Sequence, residues 1–202
     1  MLLPITYNPP IEYFCDIYNS QSNVILDQHE HLIKQTIRNR CHILGPNGIQ
    51  TLVVPVEHNS RTNTPVKDIT IANRTDWQRQ HWMSLNTAYN RSAFYEFYKD
   101  DYQLIYHKPY KYLLDLNLEL TELMLRNFEV TFKTELTTKF HDNYGEHDLR
   151  EKFNSGKPFG AYISYPQVFT YKYGFSSGLS ALDLLFNTGP EATKYLRSEA
   201  KN

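Results

Sequence analysis

Cysteine is scarce here: Cys15 and Cys41 are the only two among 202 residues. One pair cannot build a disulfide framework, and nothing else in the composition asks for an oxidising compartment. No Lys or Arg precedes Lys34, so the positively charged start of a secretory signal or transit peptide is missing. No apolar run approaches the roughly 20 residues of a membrane span. Even the stretch 112–125 is broken by Asp115, Asn117, Glu119 and Glu122. Neither sign of charge dominates, with 21 basic against 22 acidic residues and a net charge of -1, so the footprint of a nucleic-acid binder is absent. A Gly-Lys-Ser/Thr phosphate loop, a GxGxxG turn after a strand and a GxSxG elbow are also missing, which removes the familiar NTPase, dehydrogenase and hydrolase signatures. These absences lead to the expectation of a cytoplasmic protein with no membrane span.

What is present is a chain long enough to bury a full core without staples. Sixteen Tyr and eleven Phe stand against eight Gly. Tyr, with an apolar body and a polar tip, is a common lining of binding surfaces. Met1 to Ile5 reads as a strand that stops at Tyr7-Asn8-Pro9-Pro10, because proline supplies no backbone donor. Ile11, Phe14, Cys15 and Tyr18 then form the stripe of a short helix, and Val24-Ile25-Leu26 returns as a buried strand. Strand, helix, strand is the unit of a parallel α/β sheet, whose ligands sit at the carboxyl ends of the strands. Tyr7 to Pro10 and Asp27 to His31 fall at those ends.

Polar and apolar residues alternate from Ile33 to Leu44, which predicts a strand. Gly45-Pro46-Asn47-Gly48 turns it toward a partner at Leu52 to Val56. Val66 to Ala72 is a further candidate strand. A helix opens at Thr75 or Asp76 with Trp77, His81, Leu85 and Ala88 on one face, and a second covers Ala93 to His107. Tyr112 to Phe128 alternates at its start, but its length and its Leu and Glu content predict a helix of about 17 residues. Val130 to Leu136 reads as a strand and His141 to Gly160 as an exposed loop able to order on a ligand. Ser180 to Asp183 has capping-box form for a helix closed by Asn187-Thr188-Gly189, and Pro190 begins the last helix.

Several constellations carry possible chemistry. On the predicted strand Lys34, Arg38 and Arg40 share one side, a face suited to a phosphate or diphosphate and equally to plain solvation. Asp27, His29 and His31 alternate directly after a buried strand. One of them could accept a proton, and two imidazoles with a carboxylate also suit zinc or iron, while a solvated polar turn accounts for the same residues. We assign no metal and no cofactor. His81 fits a core histidine as well as a ligand. Tyr165 and Gln167 would point the same way on a strand, offering a phenol and an amide to a sugar or carbonyl group. Capping alone accounts for Ser180 and Asp183. Both cysteines fall on predicted buried faces, so neither reads as an exposed thiolate.

Taken together, Tyr13-Phe14, Asp27 through Lys34 to Asn39-Arg40, Val54-Pro55-Val56, Trp77 to His81 with Tyr89, Tyr165-Pro166-Gln167 and the stretch 179–190 resemble the WbqC-like family. Glu12 departs from the Gly that many relatives carry before the aromatic pair. The family's bacterial members are often encoded among genes for surface polysaccharide synthesis. The resemblance implies transfer of an acyl or aminoacyl group to an amino sugar.

The expectation is therefore a single α/β domain over residues 1–202, with a mixed sheet opened by the strand-helix-strand unit and a helical region at about 76–128. Its site joins Asp27, His29 and His31 as candidate catalytic groups to Tyr7, Lys34, Arg38, Asn39, Arg40, Tyr165 and Gln167 as substrate-binding groups. The expected partner is a small molecule, a nucleotide sugar. A non-catalytic binding or scaffold module of a polysaccharide assembly system is the alternative.

Overall fold

In the computed structural model the described residues are 1–20, 23–33, 35–57, 64–130, 134–154 and 164–198. The opening apolar run forms β1 (Leu2–Pro4), and α1 (Ile11–Asn19) follows directly from Pro10. β2 (Val24–Asp27) lies parallel to β1, with Leu2 opposite Ile25 and Pro4 opposite Asp27. The strand-helix-strand unit is thus present as read. Along the chain come β3 (Arg40–Gly45), β4 (Gly48–Val53), α2 (Trp77–Tyr89), α3 (Tyr95–His107), α4 (Leu113–Asn127) and β5 (Thr134–Leu136). They are followed by α5 (Thr170–Tyr173), α6 (Ala181–Thr188) and α7 (Ala192–Ser198). The protein is an α/β fold in which β1, β2 and β5 make a three-stranded parallel sheet. β3 and β4 form a separate antiparallel hairpin, so the parallel and antiparallel ladders are not hydrogen-bonded into one sheet among the described residues.

Two predicted strands differ. The alternation from Ile33 becomes a strand only at Arg40, because Thr36, Ile37, Arg38 and Asn39 turn inward as a buried, irregular segment. Val66 to Ala72 starts as a single 3₁₀ turn, Val66–Asp68, continued by isolated bridges from Thr70 to Tyr112 and from Ile71 to Val56. Half of the sixteen tyrosines are buried and do not line a surface, Tyr7, Tyr13, Tyr89, Tyr95, Tyr102 and Tyr106 among them. Phe186 of α6 sits at the centre of an aromatic cluster, with ring centroids 5.2 Å from Tyr89, 5.1 Å from Tyr95 and 5.4 Å from Tyr102. Truncating such a ring to Ala costs about 3–5 kcal/mol.

α6 is capped as read, since Ser180 Oγ accepts from Leu182 N at 3.3 Å. It ends at Gly189, whose φ is +55°. A Cβ there would run into the Phe94 ring, so only glycine both turns the chain and keeps that contact. Among the described residues no helix is long and apolar enough to cross a membrane.

Candidate functional site

β2 ends because Asp27 turns the chain. Its Oδ1 accepts from the backbone N–H groups of His29 at 2.9 Å and Glu30 at 3.2 Å, an Asx turn that breaks the extended run. The same oxygen accepts from Thr137 Oγ1 at 2.9 Å, while Oδ2 receives Arg150 Nη1 at 2.7 Å. Asp27 is fully buried, and each of its oxygens is engaged. This organises the site more than it supplies a free base. His29 and His31 consequently do not alternate beside it. His29 Nδ1 lies 3.1 Å from Thr137 Oγ1, whereas His31 is exposed and stacks on Phe140 with centroids 5.5 Å apart and planes 12° apart. Among the described residues no three His, Cys, Asp or Glu side chains converge as a metal-ligand set.

Around this turn opens a cleft of about 540 Å³ at the carboxyl end of the parallel sheet. Glu30, Asp142, Asp148 and Glu151 line it, together with Arg38, Arg150, His31, Phe140, Asn143 and Asn154. Four carboxylates thus face two guanidiniums, and both guanidiniums are already engaged. Arg38 gives Glu30 a two-point contact at 2.9 and 2.6 Å. Arg150 does the same for Asp148 at 2.9 and 2.6 Å. It also lies over the Phe140 ring, 5.8 Å from its centroid. The cleft is therefore an acidic chamber with an aromatic wall and not a basic cradle.

Titration follows from these partners. Burial raises the Glu30 pKa above the usual carboxylate range, against the opposing hydrogen bonds and charge of Arg38. For Asp148 burial works in the same upward direction, but the hydrogen bonds and charge of Arg150 prevail and hold it below that range. Glu30, absent from the residues chosen on sequence grounds, is the carboxylate of this pair whose surroundings favour taking a proton. Its signal was a second acid three residues after Asp27, in a stretch where both histidines drew the attention. Arg150 offered no local signal at all, being brought to Asp27 across 123 residues.

The other expected residues lie elsewhere. Lys34 falls outside the described residues. Arg38 and Arg40 do not share a basic strand face: Arg38 is completely buried against Glu30, and Arg40 belongs to a second, narrow pocket with Asn8, Pro10, Ile37, Cys41, His42, Gly178 and Ser180. Asn39 is structural in its contacts, donating to the Val54 carbonyl at 3.0 Å. Tyr7 is buried, its hydroxyl 2.8 Å from His81 Nδ1 and 2.7 Å from Tyr106 Oη. Burial drives the His81 pKa down to about 4, so the ring is neutral. Tyr165 and Gln167 are not on a strand. Both point the same way, as expected, but toward Asp183: the Tyr165 hydroxyl and Gln167 Nε2 donate to its Oδ2 at 2.8 and 2.9 Å. Burial raises the Asp183 pKa to about 6, while those two donors pull it back. The structure thus brings Asp27, Glu30, His31 and Arg38 together with Arg150, and separates them from the Tyr7 and Tyr165 networks.

Fold and cleft together define a small α/β protein with an acidic cleft where the parallel strands end. The model of the WbqC-like protein family matches residues 5–155, and the chain belongs to that family. The matched range stops short of Tyr165 and Ser180. Uncharacterized protein Rv1507c of Mycobacterium tuberculosis is 27% identical, over 95% of this chain and 94% of its own length. No solved structure matches the chain.

Proposed function

We propose that the protein transfers an acyl or aminoacyl group to the amine of a nucleotide-linked amino sugar in surface polysaccharide synthesis. The observation that carries the reading is the acidic, aromatic-walled cleft of about 540 Å³ at the carboxyl end of the parallel strands. Its surplus carboxylates suit an ammonium group, and the Phe140 and His31 rings suit the apolar face of a sugar. A diphosphate is poorly matched to that lining, so the sugar enters the cleft and the nucleotide stays outside it. In the step itself one proton passes from the ammonium to Glu30, and the freed nitrogen lone pair attacks the donor's acyl carbon to form the C–N bond. The leaving group departs with its bonding electron pair and takes up the second proton that the nitrogen sheds. The family resemblance supports the class of reaction, and the site supports the class of acceptor.

The engagement of Asp27 by Arg150 and of Glu30 by Arg38 also suits a module that binds a glycan and transfers nothing. Binding and turnover separate the two readings. A nucleotide-linked sugar with a free amine should raise the melting temperature by several degrees at saturating concentration, and its N-acetylated counterpart should do so less. Replacing the exposed rim acids by Asp142→Asn with Glu151→Gln should weaken the free-amine ligand about tenfold and leave the acetylated one unchanged. Equal binding of the two ligands by the parent protein would remove the acidic cleft as the amine site. Binding without product from any acyl donor would leave the non-catalytic module.

A further inference from the structure

A second site emerges from the direction of a hydrogen-bond chain in the core. His81 is neutral and accepts or donates once through each ring nitrogen. At the outer end of the chain Asn8 Nδ2 donates to the Tyr106 hydroxyl, which leaves the Tyr106 proton for Tyr7 and the Tyr7 proton for His81. Nδ1, 2.8 Å from the Tyr7 hydroxyl, must then accept from it. The Tyr7 oxygen in turn accepts from the Tyr106 hydroxyl at 2.7 Å, and Tyr106 accepts from Asn8 Nδ2 at 2.8 Å. Each hydroxyl has one proton to give, so the Asn8 donor fixes the polarity of every link on to His81.

The amide oxygen of Asn8 is consequently left at the outer end of the chain. It is buried with no hydrogen-bond partner, on a residue only 1% exposed and held at φ +43°. Asn8 lines the narrow pocket beside Arg40, and Arg40 Nε is likewise buried without a partner. An acceptor and a donor thus stand unpaired around one space, each costing about 1–3 kcal/mol if left so. That space is about 10 Å³, room for one water-sized group, so a ligand enters it by a tip only. Both the acceptor at Asn8 and the donor at Arg40 are then satisfied by a group that donates and accepts together. A carboxylate, which only accepts, would leave the Asn8 oxygen facing negative charge.

We propose that this pocket is a recognition slot for a neutral ligand hydroxyl or N–H amide, which donates to Asn8 Oδ1 and accepts from Arg40 Nε. Ile37 and Arg40 line it whereas Arg38 lines the acidic cleft, the two share no lining residue, and it does not depend on what the cleft binds. The test is a titration of isotope-labelled protein followed at the Asn8 side-chain amide and the Arg40 Nε–H resonances. Methanol and acetamide, which donate and accept, should shift both resonances saturably, whereas N,N-dimethylacetamide and acetate, which lack a donor, should not. Arg40→Gln should weaken acetamide about tenfold while the backbone amide spectrum stays that of the folded parent. Preference for acetate over acetamide would make the slot an anion site and overturn the proposal. Absence of a saturable shift with either donor-acceptor probe in the folded parent protein would overturn it as well.

Discussion

The carboxyl end of the sheet and the core beside Tyr7 solve the same problem by opposite means. In the first, charge is buried against charge: Asp27 with Arg150, Arg150 with Asp148, Glu30 with Arg38. In the second, Asn8, Tyr106, Tyr7 and His81 are linked with no formal charge at all. The ionic cluster stabilises only while every member is present, since removing one leaves its partner uncompensated. The neutral chain is cheaper to interrupt but fixes direction, because each hydroxyl donates once. One region therefore tunes proton affinity, and the other orders donors and acceptors.

That contrast breaks most strongly at Asp27. Asp27→Ala should cost about 3–5 kcal/mol in chemical denaturation, because Arg150 loses a buried partner and the turn N–H groups of His29 and Glu30 lose theirs. A double-mutant cycle with Arg150→Met should return a coupling of a few kcal/mol, and simple additivity would show that the pair is not energetically linked.

Acid titration sharpens the comparison next. Asp183, raised to about 6 in the fold, binds its proton more readily folded than unfolded. Its contribution therefore falls as pH rises from about 4 to 6. His81, lowered to about 4, binds its proton less readily folded, so its contribution is lost as pH falls from about 6.5 to 4. Each effect is worth up to about 3 kcal/mol, and they oppose one another across the same window. Asp183→Asn should make stability drop more steeply on acidification, and His81→Gln should reverse the slope. Matching slopes for the two variants would refute the assignment.

A smaller loss, about 1–3 kcal/mol, is expected from Tyr106→Phe, which leaves Asn8 Nδ2 only the weak Cys41 Sγ acceptor and the Tyr7 hydroxyl only His81, without altering ring packing. Thermal melts of this variant against Tyr95→Phe, whose hydroxyl reaches only Asn86, would isolate the cost of interrupting the chain. The least effect, under about 0.5 kcal/mol, belongs to Lys194→Ala, which removes an exposed ion pair with Glu191. A loss there as large as at Asp27 would mean that burial is not what gives the ionic cluster its strength.

Much of the frame was legible because it rests on local periodicity. The stripe of Trp77, His81, Leu85 and Ala88, the turn at Gly45 to Gly48 and the cap at Ser180 each declare themselves within a few residues. The site was legible only in part. Asp27 was found from its place at the end of a buried strand, but its role as a turn-former was not, since Arg150 and Thr137 reach it from more than a hundred residues away. The alternation of Lys34, Arg38 and Arg40 misled for a physical reason: period two describes a strand only where a ladder forms. Here the Glu30 to Arg38 ion pair folds the segment inward before one can. Tyr165 and Gln167 were correctly placed on one side, yet the carboxylate they serve, Asp183, lies on a later helix.

The parallel register of β2 with β5 has one more consequence. Leu26 pairs with Leu136, and the turn after β2 is locked by Thr137 and Arg150, so none of these contacts can form in the N-terminal half alone. During synthesis Asp27 waits unpaired until Arg150 has cleared the ribosome, whereas Glu30 meets Arg38 only eight residues on. Loop closures of this span slow folding, so the acidic cleft is the last part of the sheet to mature and the first exposed to proteolysis in a stalled or truncated chain.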